Sequence, residues 1–144
     1  GDLTRLLAVE VEGIHLHLQG WFKSLSAVVE SSSIISHGYS NGISVKSYWS
    51  TFESLNVAVQ SPNVTAEYYT DPWRLTSGCY IFSDTNINQI NVNISNSIIS
   101  TIGTRAIGAA LNAPSVSNSR ITVISDIESI EGSAFGISFG SLVD

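Results

Sequence analysis

Hydrophobic and polar residues alternate from the start of the chain. Leu7, Val9 and Val11 share one parity, against Ala8, Glu10 and Glu12. Ile14, Leu16 and Leu18 then alternate with His15, His17 and Gln19. A period of two is the signature of a strand with one buried face. The parity changes at Gly13, which predicts a bend or bulge there. Trp21 to Glu30 could form a short helix, but Val28, Val29 and the Ser31–Ser33 run favour turn and strand. Further short strands are expected at Gly42–Val45, Leu55–Val59, Ile90–Ile94 and Ile121–Val123, each bounded by Gly, Asn or Ser.

Two pairs of segments repeat. Ile94-Ser95-Asn96-Ser97 aligns with Val116-Ser117-Asn118-Ser119, 22 residues later. Ile102-Gly103-Thr104-Arg105-Ala106-Ile107-Gly108 resembles Ile130-Glu131-Gly132-Ser133-Ala134-Phe135-Gly136-Ile137 with one inserted residue. Gly42-Ile43 and Gly136-Ile137 open similar apolar stretches. Repeats of variable length suit solenoid coils, each made of a few short strands joined by turns. A sandwich or jelly roll would show tight hairpin turns between matched strands. The single Asn-Gly, Asn41-Gly42, has no clean strand partner upstream. The expected fold is an all-β parallel solenoid of about five coils, one domain over residues 1–144 with a long loop insertion at 61–77.

Composition agrees. The 144 residues hold 17 Ile and 12 Val, which favour strands, and 25 Ser, 9 Thr and 10 Asn, which are poor helix formers. Charged residues are 12%, about half the usual share. The net charge of −6 argues against a duplex nucleic-acid binder, which needs a basic face. Cys79 is the single cysteine, so neither an internal disulfide nor a thiolate zinc cluster is expected. Its neighbours Gly78, Tyr80, Ile81 and Phe82 mark it as a small buried hydrophobe. No run of 18 apolar residues predicts a membrane span. A chain without Met reads as a processed or excised segment of a longer protein.

The stretch Gly42-Ile43-Ser44-Val45-Lys46-Ser47-Tyr48-Trp49-Ser50-Thr51-Phe52-Glu53-Ser54-Leu55-Asn56-Val57 resembles a coil of the right-handed parallel β-helix of phage tailspikes. The Ile-Ser-Asn-Ser-Ile and Ala-Phe-Gly-Ile units resemble further coils of that pectate-lyase-like solenoid. Periodicity does not set the hand; the right hand is what the resemblance implies. It also implies a homotrimeric phage-tail virion protein that binds, and often cleaves, bacterial surface polysaccharide. The alternatives are a complete polysaccharide-degrading hydrolase or lyase, and a secreted or cell-surface adhesin segment without chemistry.

Candidate chemistry concentrates in the expected insertion. Tyr68, Tyr69, Trp73 and Arg74 combine flat aromatic faces, which stack on sugar rings, with a hydrogen-bonding cation. Glycoside hydrolysis usually takes two carboxyl groups, and Glu53, Glu67, Asp71 and Asp84 are the cluster around that loop. The opposite reading is that the aromatics pack on the solenoid or on a neighbouring subunit. Tyr48, Trp49 and Phe52, like Trp21 and Phe22, read as corner packing. Asp126, Glu128 and Glu131 read as a solvated outer face. Lys46 and Arg74 are the bases a lyase could use on a uronate. His15 and His17 share a strand face but lack an evident third ligand, so no metal or cofactor is expected. Nucleotide-binding and esterase motifs are absent. The expected partners are bacterial polysaccharide and other copies of the chain, without nucleic acid or membrane insertion.

Overall fold

The structure is a computed structural model that describes residues 10–30, 33–36, 39–60, 63–66, 75–102, 105–130 and 132–140. It is an all-β parallel solenoid of about four turns rather than five. The strands are β1 (Glu10–Glu30), β2 (Ser33–Ser36), β3 (Tyr39–Gln60), β4 (Asn63–Ala66), β5 (Leu75–Ser83), β6 (Ile87–Asn88), β7 (Ile90–Thr101), β8 (Arg105–Asn112), β9 (Val116–Ser117), β10 (Arg120–Ser129) and β11 (Ala134–Gly140). Every pairing is parallel and joins one coil to the next.

Register turns the sequence pattern into columns. On the first face Ile14, Ile43, Cys79, Ala109 and Ile137 stack in successive coils. On the second, Val29, Val59, Ile94 and Val123 stack. On the third, Ile34, Val64, Ile99 and Ile127 stack. Side chains from the three faces meet in one core that includes Ile43, Val57, Ile81 and Val92. Successive members are roughly 30 residues apart, within the usual range for solenoid repeats.

The two sequence repeats have different meanings. Ala134 and Phe135 do stack on Ala106 and Ile107, so that pair marks successive rungs. The segments 22 residues apart do not stack: Ile94 pairs with Val123, and Val116 pairs with Ile87. They are two corners built alike. Asn96 and Asn118 are both left-handed (φ 51° and 49°), a conformation that Asn tolerates well. The serine after each donates to the carbonyl two residues back, Ser97 to Ser95 at 3.0 Å and Ser119 to Ser117 at 2.7 Å. The repeat therefore records corner chemistry rather than coil length.

The expected insertion is narrower than 61–77. Asn63–Ala66 is strand β4, a regular member of the third face, with Val64 and Ala66 buried. At the other end Leu75, Thr76 and Ser77 already belong to β5. Residues 67–74 lie outside the described residues.

Ile137 continues the column of Ile43, Cys79 and Ala109 yet is 41% exposed. It lies on β11, which among the described residues pairs with β8 alone. Ile107 is buried but stands outside the core cluster, because it faces an outer groove.

Cys79 is fully buried in the core, and desolvation pushes its thiol far above the ordinary value of 9.0. Above that value the unfolded chain releases a proton that the folded chain retains. Stability is therefore expected to fall as pH rises past 9, approaching about 1.4 kcal/mol per pH unit for this group. Tyr80 is shifted the same way and adds to the fall. Urea unfolding at pH 8 and pH 10.5 checks this, and the drop should be smaller in Cys79→Ala.

Candidate functional site

A glycine ladder shapes the outer surface of the first face. A Cβ built on Gly13, Gly42, Gly78 or Gly108 would lie 2.6, 2.5, 2.8 or 2.6 Å from the carbonyl oxygen of the glycine in the next coil. The same atom would also press inward, onto Val29, Val59, Ile94 or Val123. Only hydrogen fits, so the first face can approach the second closely. The sequence parity change at Gly13 is this bend, repeated in every coil.

Because the face bends at the ladder, outward side chains on either side of it converge. Asn41 and Ile107 from one side meet Ser44, Lys46, Tyr80, Ala110 and Asn112 from the other, around a groove of about 300 Å³. Glu12, Arg105 and Ser138 line it as well. Its wall thus draws on β1, β3, β5, β8 and β11, and it runs along the stack for about 19 Å at the usual spacing of parallel strands.

The groove's lining mixes polar side chains with Leu75, Ile107, Ala110 and Leu111. Ser77 donates to Oδ1 of Asn41, a lining residue, at 2.6 Å. Tyr80 has its hydroxyl pKa raised by desolvation, offset by a hydrogen bond from Asn112 and by the nearby Arg105 charge. The phenol therefore stays neutral and can both donate and accept. Ser44 Oγ and Asn112 Oδ1 are buried, with no hydrogen-bonding partner among the described residues. At the first coil, Glu12 Oε2 lies 2.7 Å from His15 Nδ1.

The residues singled out in sequence fall differently. Glu67, Tyr68, Tyr69, Asp71, Trp73 and Arg74 lie outside the described residues, as does the side chain of Glu53. Asp84 stands at the corner after β5, where its Oδ1 accepts the Trp49 amide at 2.9 Å. Its own amide donates to Ser47 O at 3.2 Å. Lys46 lines the groove. His17 stacks on Tyr48 at a centroid distance of 5.2 Å, and Tyr48 in turn lies 5.5 Å from Phe82. Asp126 and Glu128 are exposed on β10. Among the described residues no group of three or more His, Cys, Asp or Glu side chains is placed to hold a metal ion. No described helix is long and apolar enough to cross a membrane.

Sequence reasoning missed Asn41, Tyr80, Arg105 and Asn112 as a group. The available signal was Gly-x-outer-x-outer after each ladder glycine: Gly42-x-Ser44-x-Lys46, Gly78-x-Tyr80-x-Phe82 and Gly108-x-Ala110-x-Asn112. Neither the family models, the curated proteins nor the solved structures contain a match to this chain. The fold and the groove therefore carry the functional argument alone.

Proposed function

We propose that this solenoid segment binds a polysaccharide lying in the outer groove. The observation that carries the reading is the pair of buried, unpartnered groups, Ser44 Oγ and Asn112 Oδ1, in a groove that crosses five strands. A buried polar atom without a partner costs about 1–3 kcal/mol. A ligand that brings hydroxyl groups recovers that cost when the Ser44 and Asn112 side chains turn toward it, since a hydroxyl donates to an amide oxygen and accepts from a serine. Tyr80 adds an aromatic face and a neutral hydroxyl, and Lys46 and Arg105 add donors for hydroxyl or acidic groups. The groove's volume is at the lower end of ligand sites, in keeping with an open cleft for an extended chain.

Binding is favoured over cleavage. Among the described residues, Glu12 is the one carboxylate that lines the groove, and glycoside hydrolysis usually takes two. In its finer form the proposal makes this a phage tailspike-like virion segment, one chain of a trimer, whose target is bacterial surface polysaccharide. What supports the finer form is the resemblance of residues 42–57 to tailspike coils.

The test is an array of immobilised bacterial capsular and O-chain oligosaccharides, read with the parent chain and with Ser44→Ala. The variant is expected to bind roughly tenfold more weakly while gaining about 1 kcal/mol in stability, because it removes an unsatisfied hydroxyl. Absence of any bound oligosaccharide, or unchanged binding by Ser44→Ala, would overturn the reading.

A further inference from the structure

We infer that Trp49 is a stacking platform for a sugar ring of the chain that occupies the groove, held in place by Asp84. The inference rests on the glycan reading of the groove and extends it to a second contact point.

Trp49 is 83% exposed, more than any other large hydrophobic side chain among the described residues. It is also left-handed, with φ 51°, a conformation that is an outlier for a bulky residue. The matching corner one coil earlier turns at Gly20, with φ 103°, where the conformation is free of that cost. The register explains the difference. Leu18 pairs with Ser47 and Gly20 with Ser50, so Tyr48 and Trp49 together oppose the single Gln19. Coil two therefore carries a bulge, a device that re-aims a side chain beside a functional surface.

The strained conformation is fixed from the next coil. Asp84 Oδ1 accepts the Trp49 amide at 2.9 Å, and the Asp84 amide donates to Ser47 O at 3.2 Å. Asp84, which the sequence offers as a catalytic acid, is thus a positioning residue. The indole, in a costly conformation clamped by a carboxylate, is left largely uncovered by the described residues. Strain that the surroundings hold in place points to a binding role.

Continuity with the groove identifies the occupant. Lys46 and Tyr80 line the groove, and Tyr48 follows two residues after Lys46 on the same strand, β3. Tyr48 stacks on His17 and tilts against Phe82, which extends the wall as an aromatic strip up to the Trp49 corner. The setting of that strip is polar, with Lys46, His17 and Asp84 beside it. A flat aromatic face ringed by hydrogen-bonding groups suits a pyranose, which has an apolar face and a hydroxylated rim, better than an apolar protein surface.

The experiment uses the same oligosaccharide array together with thermal melts of Trp49→Gly, Trp49→Tyr, Asp84→Ala and Asp84→Asn. Trp49→Gly is expected to bind roughly tenfold more weakly and to melt about 2–4 °C higher, because glycine relieves the left-handed strain. Trp49→Tyr should restore binding to within about threefold. Asp84→Ala should lose affinity with the indole intact, and Asp84→Asn, which keeps the acceptor oxygen, should retain it. A lower melting temperature in Trp49→Gly with unchanged affinity would overturn the inference and make the indole a packing group. If Ser44→Ala loses binding while both Trp49 variants keep it, the platform is refuted and the groove stands. An array that binds nothing refutes both.

Discussion

Gly42→Ala is expected to destabilise the protein by about 3 kcal/mol or more, whereas Gly136→Ala on the same column should be neutral or slightly stabilising. At Gly42 the added methyl would sit 2.5 Å from the carbonyl oxygen of Gly78 and 3.4 Å from Val59 Cγ1. The oxygen is backbone in a hydrogen-bonded rung, so it cannot swing aside as a side-chain tip could. Relief requires the rungs to separate, and β3 is paired in register with β1 and β5 on its two sides. At Gly136 nothing lies within 4 Å of the same position. Alanine there only narrows the unfolded ensemble. Urea unfolding of the two variants measures the contrast. Equal effects at both positions would remove the ladder as the cause.

Ile94→Ala is expected to cost about 4 kcal/mol, near the upper end for core truncation. Ile94 is fully buried between Val59 and Val123 in its column. Its methyl groups fill the space that Gly78 leaves empty on the opposite face, 3.0 and 3.1 Å from where a Cβ would be. A cavity there cannot collapse, because both walls are strands fixed in register with neighbours above and below. Ile137→Ala is the reference, since that side chain is 41% exposed on the last rung and should cost about 1 kcal/mol. Chemical unfolding of the pair checks the difference.

What the sequence disclosed depends on how local each signal is. Alternation along one strand needs no knowledge of the next, so the all-β class and the strands around Ile14, Val57 and Val92 were readable. The bend at Gly13 was readable for the same reason. Coil length was obscured, because Ser-Asn-Ser serves two corners of the solenoid and imitates a repeat shorter than a rung. The strand at Asn63–Ala66 was hidden by flanking Pro62 and polar turn formers, although Val64 and Ala66 keep the period of two. The groove was least legible. It is assembled from residues such as Glu12, Lys46, Tyr80 and Arg105, which come together only when five strands are stacked in register. Asp84 was visible as an acid, but its task at the Trp49 corner depends on a contact between residues 35 apart.

The last rung has a consequence for how the molecule comes apart. Among the described residues β11 is bonded to β8 alone, and Phe135, Ile137 and Phe139 are exposed. In a stack where each coil touches only its neighbours, free energy is shared along one dimension, and a strand paired on one side has half the support of one paired on both. Amide protons should therefore exchange faster in β1 and β11, each paired on one side among the described residues, than in β3, β5 and β8, which are paired on both. Ser138 and Gly140 sit on β11 and line one end of the groove. A ligand spanning the groove would tie the loose end to the interior, so occupancy and order at β11 would rise together.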